Sequence, residues 1–379
     1  MSPDATRPQG ALILADGRVF RGTPFGALVD AEGEAVFTTT MTGYQEVATD
    51  PSFRGQLVCM TYPLIGNYGV NDEDEQSRRP WIAGMVVREY CERPNYWRSQ
   101  GTLGEYLKRH GIPGLADVDT RALTRHIRLE GAMPALLCSD IGNRRIEDLI
   151  ARAREAWTPA QSNVVADVST PEARRLDRDS EVHIVLIDCG VKENIVDELA
   201  RRGARVTVVP FDTSAAEIMA LAPDGVLTSP GPGDPENAEA TTMVVAELVG
   251  REMPFFGVCL GHQLLAQSIG ATTSKLKFGH RGGNHPVKNL IDGSVRITSQ
   301  NHGYQVDAAS IPTDQGWIIS EINLNDGSVE GLEHENLPVF SVQYHPEGSP
   351  GPLDSEALFD RFIDMVRERK QRALVGATA

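Results

Sequence analysis

The 379-residue sequence is short of positive charge: 36 lysines and arginines stand against 52 aspartates and glutamates, for a formal net charge of −16. Proteins that grip a nucleic-acid backbone do so largely with Lys and Arg that displace counterions, so no nucleic-acid partner is expected. Long apolar runs are also missing. No stretch approaches the roughly 18 residues that a membrane-crossing helix needs, and no membrane partner is expected. The start, MSPDATRPQGALILADGR, has no positively charged opening, continuous apolar core or small-residue cleavage site, so a cytoplasmic location is the expectation. Cysteine is scarce: Cys59, Cys91, Cys138, Cys189 and Cys259 are odd in number, widely spaced, and show neither CxxC nor Cys/His ligand spacing. That argues against a disulfide framework and a structural zinc, and no metal site is expected. Four of the five read as small buried apolar residues; Cys259 stands apart.

What is present is enough chain for two domains, at roughly 100 to 200 residues each. Residues 1–157 open with short strand-like runs, ALILADG, RVFRG and EAVFTTT, and continue with LGEYLKRHG and TRALTRHIRLEG, whose helical apolar spacing ends on glycine. This half is expected to be β-rich α+β. Residues 158–181 carry two prolines, many small polar residues and little periodicity, and form the expected linker. Across residues 182–379 strand and helix alternate: HIVLID, VKENIVDELARRG, RVTVVP, AAEIMALA, GVLTS, EATTMVVAELVG, PFFGVC. Repeated βα units of this length predict an α/β domain with a doubly wound, mostly parallel sheet covered by helices on both faces. The run DSEALFDRFIDMVRERK places Leu358, Phe359, Phe362, Ile363 and Val366 on one helical face, expected to pack on that sheet.

In PFFGVCLGHQLLAQSIG, Cys259 sits between an apolar strand and a helix, with Gly257 and Gly261 on either side. A strand that enters a helix through Gly-x-nucleophile-x-Gly must turn sharply, and glycines remove the side chains that would clash there. The helix N-terminus favours the thiolate, so Cys259 is a candidate nucleophile. Such a thiol needs a base held by a third polar group. In VFSVQYHPEG a strand ends in Tyr344-His345-Pro346-Glu347, making His345 the candidate base and Glu347 its orienter; His262, His280, His285, His302 and His334 read as structural. Oxyanion donors could come from the Leu260 amide and from SPGPGDP, where Gly231 and Gly233 allow close backbone approach. That loop lacks the GK[ST] ending of a P-loop and the GxGxxG spacing of a dinucleotide site.

Taken in order, PGPGDP, GVCLGHQ and HPE resemble the triad-type glutamine amidotransferase domain. The resemblance implies hydrolysis of the glutamine side-chain amide through a glutamyl thioester on Cys259. TTTMTGYQEVATDPSFRGQLVCMTYPLIGNYG, DTRALTRHIR and GAMPALL in the first half, with FGHRGGNHPV, TSQNHGYQVD and SVQYHPEGSPGPLDSEALFDRF in the second, resemble the small subunit of carbamoyl-phosphate synthase. This implies L-glutamine as substrate, with Ser52, Gly231, Gly233, Leu260, Gln263, Asn301, Gly303 and Tyr304 as binding residues. Tyr304 stands where Phe is also common, so a backbone contact is expected there. With Ser52 in the first domain, the resemblance puts the pocket at the domain interface. It also implies a large-subunit partner that uses ATP and a divalent metal to make carbamoyl phosphate for arginine and pyrimidine synthesis, since no segment here reads as that ATP site; no cofactor is expected in this chain. A glutaminase subunit of a different synthetase and a catalytically silent regulatory scaffold are the competing readings. The first domain discriminates against the former, and the presence of Cys259, His345 and Glu347 against the latter.

Overall fold

The computed structural model describes residues 9–176 and 180–376. They fall into two compact units. One takes in the chain up to Gln161 together with Lys277–Arg281; the other runs from Ser162 to Leu276 and from Gly282 onward. The division lies inside the stretch expected as a linker.

The first unit is built from β1 (Gly10–Leu14), β2 (Val19–Gly26), β3 (Ala31–Thr38), α1 (Tyr44–Thr49), β4 (Gln56–Met60), β5 (Leu64–Ile65), β6 (Gly84–Val86), β7 (Glu89–Tyr90), α2 (Leu103–Arg109), β8 (Pro113–Ala116), α3 (Thr120–Glu130), β9 (Met133–Cys138) and α4 (Ile146–Arg154). Seven strands close into a barrel in the order β1-β2-β8-β6-β4-β3-β9, while β5 and β7 pair separately. Closure leaves no unpaired edge. The period-2 alternation of GALIL serves both faces of β1. Leu12 and Leu14 join a cluster with Leu57, Leu115 and Leu137, whereas Ala11 and Ile13 pack with Leu149 and Ala153 of α4. The expected helices end as their glycines suggest: Gly131 takes a φ of 103° where α3 stops.

The second unit contains α5 (Val165–Val168), β10 (Arg174–Leu176), β11 (His183–Asp188), α6 (Glu193–Arg201), β12 (Arg205–Pro210), α7 (Ala215–Ala220), β13 (Gly225–Thr228), α8 (Glu239–Gly250), β14 (Phe255–Val258), α9 (Leu260–Ser268), β15 (Thr273–Asn289), β16 (Val295–Val306), β17 (Trp317–Asn323), β18 (Val329–His334), β19 (Val339–Val342) and α10 (Ala357–Gly376). Ten strands form one sheet, ordered β10-β12-β11-β13-β14-β19-β18-β17-β15-β16. From β12 to β19 the neighbours are parallel. Beyond β19 the pairings through β18, β17 and β15 are antiparallel, an extension that the βα pattern did not announce. Residues 158–181, which lack periodicity, nevertheless supply α5 and β10, the latter antiparallel to β12.

Helices cover both faces. Ile218, Val245, Leu248, Leu264 and Leu265 of α7 to α9 pack on one, and Ile195, Leu199, Phe359, Phe362 and Val366 of α6 and α10 on the other. Leu358, Phe359, Phe362, Ile363 and Val366 are all buried, as their spacing predicts. Phe256 stacks on Phe340 at 4.4 Å between ring centroids and meets Phe359 edge-on at 5.9 Å; each such burial contributes about 1.5 to 3 kcal/mol. Chain order reverses at β11, with β12 on one side and β13 on the other. In sheets of this kind the crevice at the carboxyl ends of the strands beside that reversal is where ligands bind. Among the described residues no helix is long and apolar enough to cross a membrane.

Candidate active site

Four parallel strands deliver their following residues to that end of the sheet: β11 leads to Cys189–Lys192, β13 to Ser229–Pro235, β14 to Cys259 and β19 to His345. Cys259 occupies the junction between β14 and α9 with φ 53° and ψ −102°. A non-glycine residue held at positive φ is strained, and such strain persists only where its surroundings over-determine it. Here the determinants are visible. A Cβ on Gly257 would lie 2.6 Å from the Gly261 carbonyl oxygen, and one on Gly261 would lie 2.3 Å from that of Thr228. The Cys259 amide donates to the Val342 carbonyl at 2.9 Å, tying the turn to β19. The thiol is buried and donates to the Asn301 carbonyl at 3.7 Å.

His345 is fixed by its backbone amide, which donates to the Ser299 carbonyl at 2.9 Å. Its Nδ1 lies 2.7 Å from Oε1 of Glu347, and both side chains are buried. Because Nδ1 faces a carboxylate it carries the proton, which leaves Nε2 to serve the other side. Burial by itself would lower the His345 pKa, but the Glu347 carboxylate and the Cys259 sulfur outweigh it and push the group up to about 10. Burial would raise Glu347; the Lys192 ammonium, then His345, hold it down at about 2.

Lys192 was not among the residues expected from sequence. It is 1% exposed, its Nζ is 3.0 Å from Oε1 of Glu347, and it also donates to the Gly348 carbonyl. Asn194 Nδ2 donates to the Glu347 carbonyl at 2.5 Å. In GVKENI a lysine just before a helix looks like an ordinary solvated charge. Its one clue is position, following a strand that flanks the reversal of chain order.

The loop after β13 is bound to the first turn of α9: the Gly261 amide donates to the Ser229 carbonyl at 3.2 Å, and the Cys189 amide to Ser229 Oγ at 2.9 Å. A Cβ on Gly231 would lie 2.3 Å from the Cys189 carbonyl oxygen and 2.7 Å from Leu260 Cδ2, so only glycine fits; Gly233 takes φ 90°. Leu260 opens α9, where first-turn amides have no intrahelical acceptor. One turn on, Gln263 Nε2 donates to the Tyr304 carbonyl at 3.0 Å and to Gln343 Oε1 at 3.1 Å. Asn301, Gly303 and Tyr304 lie on β16. Ser52 belongs to the first unit, in the short helical turn Pro51–Phe53. Asp50 caps that turn by accepting from the Ser52 amide at 2.8 Å, and Ser52 Oγ is buried with no hydrogen-bond partner among the described residues.

Comparison with known proteins decides the family. The model for "Carbamoyl-phosphate synthase small chain, CPSase domain" matches residues 12–137, and that for "Glutamine amidotransferase class-I" matches residues 185–365. The chain is 48% identical over 375 residues to a carbamoyl phosphate synthase small chain of Syntrophotalea carbinolica, covering 95% of this chain and 98% of that one. It is 48% identical over 364 residues to a pyrimidine-specific small chain of Halalkalibacterium halodurans (96% and 98% covered) and 47% identical over 360 residues to a small chain of Archaeoglobus fulgidus (95% and 99%). The chain belongs to the carbamoyl-phosphate synthase small chain family.

As a member of that family it is an enzyme subunit with a class-I glutamine amidotransferase domain, and Lys192, Cys259, His345 and Glu347 all fall within the matched region. Ser52 falls within the match to the other domain. His262 does not compete for the role of base. His262, wholly buried with Nδ1 2.9 Å from Ser341 Oγ, is pushed down to about 3 by burial and stays neutral. His280, His302 and Glu330, residue types that can hold a metal, have ligand atoms within 4.8 Å of one another, and those of His302 and Glu330 are engaged by protein partners. Cys59, Cys138 and Cys189 are buried free thiols, and Cys91 is half-buried.

Proposed function

We propose that this chain hydrolyses the side-chain amide of L-glutamine and hands the ammonia to a separate, ATP-dependent large subunit that forms carbamoyl phosphate from bicarbonate. The observation that carries the reading is the strained Cys259 elbow facing a His345–Glu347 pair. Nε2 of His345 takes the Cys259 proton, and the thiolate attacks the amide carbon. Negative charge gathers on the amide oxygen, where the Leu260 N–H and the backbone of the Gly231–Gly233 loop are the donors. Collapse breaks the C–N bond as the imidazolium returns its proton to the leaving nitrogen, releasing ammonia and leaving a glutamyl thioester. Water, deprotonated by His345, then attacks the thioester; glutamate leaves and the thiol is restored.

Gly231, Gly233, Leu260, Gln263, Asn301, Gly303 and Tyr304 are the proposed glutamine contacts in the second unit, and Ser52 has the same role on the strength of the sequence resemblance alone. Glu347 holds the imidazole in the tautomer that presents Nε2 to the thiol, and Lys192 keeps that carboxylate ionised. ATP and its divalent metal belong to the large subunit, and the product serves arginine and pyrimidine synthesis. Ammonia at neutral pH is mostly ammonium, a poor nucleophile, so direct passage between subunits preserves the reactive form. The test is Cys259→Ser in the complex reconstituted with its large subunit. Glutamine-dependent carbamoyl phosphate formation is expected to vanish while synthesis from ammonium salts persists; equal loss of both overturns the reading.

A further inference from the structure

Beside Asn301 and Tyr304 runs a chain of buried polar groups to which the proposed reaction gives no part. Nδ1 of His302 lies 2.7 Å from the Tyr304 carbonyl, and Nε2 lies 2.9 Å from Oε1 of Gln300. A carbonyl can only accept, so Nδ1 carries a proton. The other end of Gln300 sets its orientation: Nε2 donates to Glu330 Oε2 at 2.9 Å and to Thr298 Oγ1 at 3.1 Å. An ionised carboxylate cannot donate, so Gln300 must turn its amide nitrogen to Glu330 and its oxygen to His302, which puts a proton on Nε2 as well. Both nitrogens of His302 thus face acceptors, the pattern that an imidazolium satisfies.

The countercharge is Glu330 on β18, fully buried, whose second oxygen accepts from Asn323 Nδ2 at 2.8 Å. Ligand atoms of His280, His302 and Glu330 all lie within 4.8 Å of one another, so the buried His280 imidazole faces this pair as well. Opposite charges this close in a low-dielectric interior support each other when their hydrogen bonds are satisfied. The Tyr304 carbonyl that His302 holds also accepts from Gln263 Nε2 at 3.0 Å, one turn beyond Cys259 on α9. Backbone that is to contact a ligand is therefore gripped by a charged donor on one side and the nucleophile helix on the other.

We propose that Glu330, acting through Gln300, is a positioning residue that keeps His302 an imidazolium and thereby holds the Asn301–Tyr304 backbone in place for glutamine. The role rests on the glutamine-hydrolysing function given above. Glu330→Gln preserves shape and removes the charge. In the complex with the large subunit it is expected to raise the KM for glutamine about tenfold, or ~1.4 kcal/mol, with little change in kcat. Adding Gln300→Glu places a carboxylate directly against His302 Nε2, with the new amide at position 330 as its donor, and is expected to restore KM. An unchanged KM in Glu330→Gln, a double variant no better than the single one, or kcat and melting temperature falling together each overturns the proposal. A second readout needs no catalysis. In the full chain with 15N-labelled histidine, at about pH 8 and well above the ordinary histidine pKa, one imidazolium signal besides that of His345 is expected, and it disappears in His302→Asn. Its absence overturns the proposal whatever the kinetics show. If that signal is present but the wild-type complex hydrolyses no glutamine, the glutaminase reading fails and the charge relay stands.

Discussion

Lys192 Nζ lies 3.0 Å from the same Glu347 oxygen that receives the His345 Nδ1 proton at 2.7 Å, and all three side chains are buried. The carboxylate is thus held between an ammonium and an imidazole. Removing the ammonium leaves a buried carboxylate short of a partner, and breaking such a pair costs about 3 to 5 kcal/mol. Lys192→Met is expected to lose stability on that scale. The sign with pH follows from the direction of the shift. Glu347 is held below its ordinary value, so its stabilising contribution is present above the unfolded-state carboxylate pKa and is lost as pH falls toward about 2. Without Lys192 the folded-state value rises, and acid unfolding should begin at higher pH. Denaturation profiles of the two proteins that stay parallel down to the acid limb would contradict this.

His345 transfers the proton, whereas Glu347 orients the ring. A positioned general base contributes about 10² to 10⁴ in rate, so His345→Asn should lose at least that much glutaminase activity. Glu347→Ala should lose less. Steady-state kinetics with the order reversed would require another base.

The Cys259 elbow depends on close backbone approach. Gly261→Ala would put a methyl group 2.3 Å from the Thr228 carbonyl oxygen, and backbone has to move to admit it. Overpacking of this kind costs about 1 to 3 kcal/mol, and glutaminase activity should fall with it. Gly250→Ala, at the end of α8 with nothing within 4 Å of the added carbon, should leave stability unchanged or raise it by about 0.5 to 1 kcal/mol. Thermal melts of the pair test the contrast.

Ser52 separates substrate binding from capping. Asp50 caps the Pro51–Phe53 turn, so Asp50→Ala should cost about 1 kcal/mol, while Ser52→Ala, which removes an unbonded hydroxyl, should leave the melt nearly unchanged. Ser52→Phe should raise the KM for glutamine and leave ammonium-dependent synthesis intact. An unaltered KM would remove Ser52 from the proposed set.

The features legible in the sequence are those that depend on neighbours along the chain. The alternation of apolar runs in HIVLID through PFFGVC determined the βα order because strand and helix periods are local properties, and GVCLG announced the elbow because only glycines tolerate the approach on either side of a sharp turn. His345 and Glu347 are two residues apart, so their pairing could be read directly. Lys192 could not, because it is 155 residues from Glu347 and its burial exists only once β11 and β19 deliver their ends to one crevice. The same holds for the antiparallel extension through β15 to β18 and for the Glu330–Gln300–His302 relay. The hydrogen bond to Glu330 that orients Gln300 comes from a different strand, and the desolvation that makes those charges interact strongly is a property of the packed sheet rather than of any segment within it.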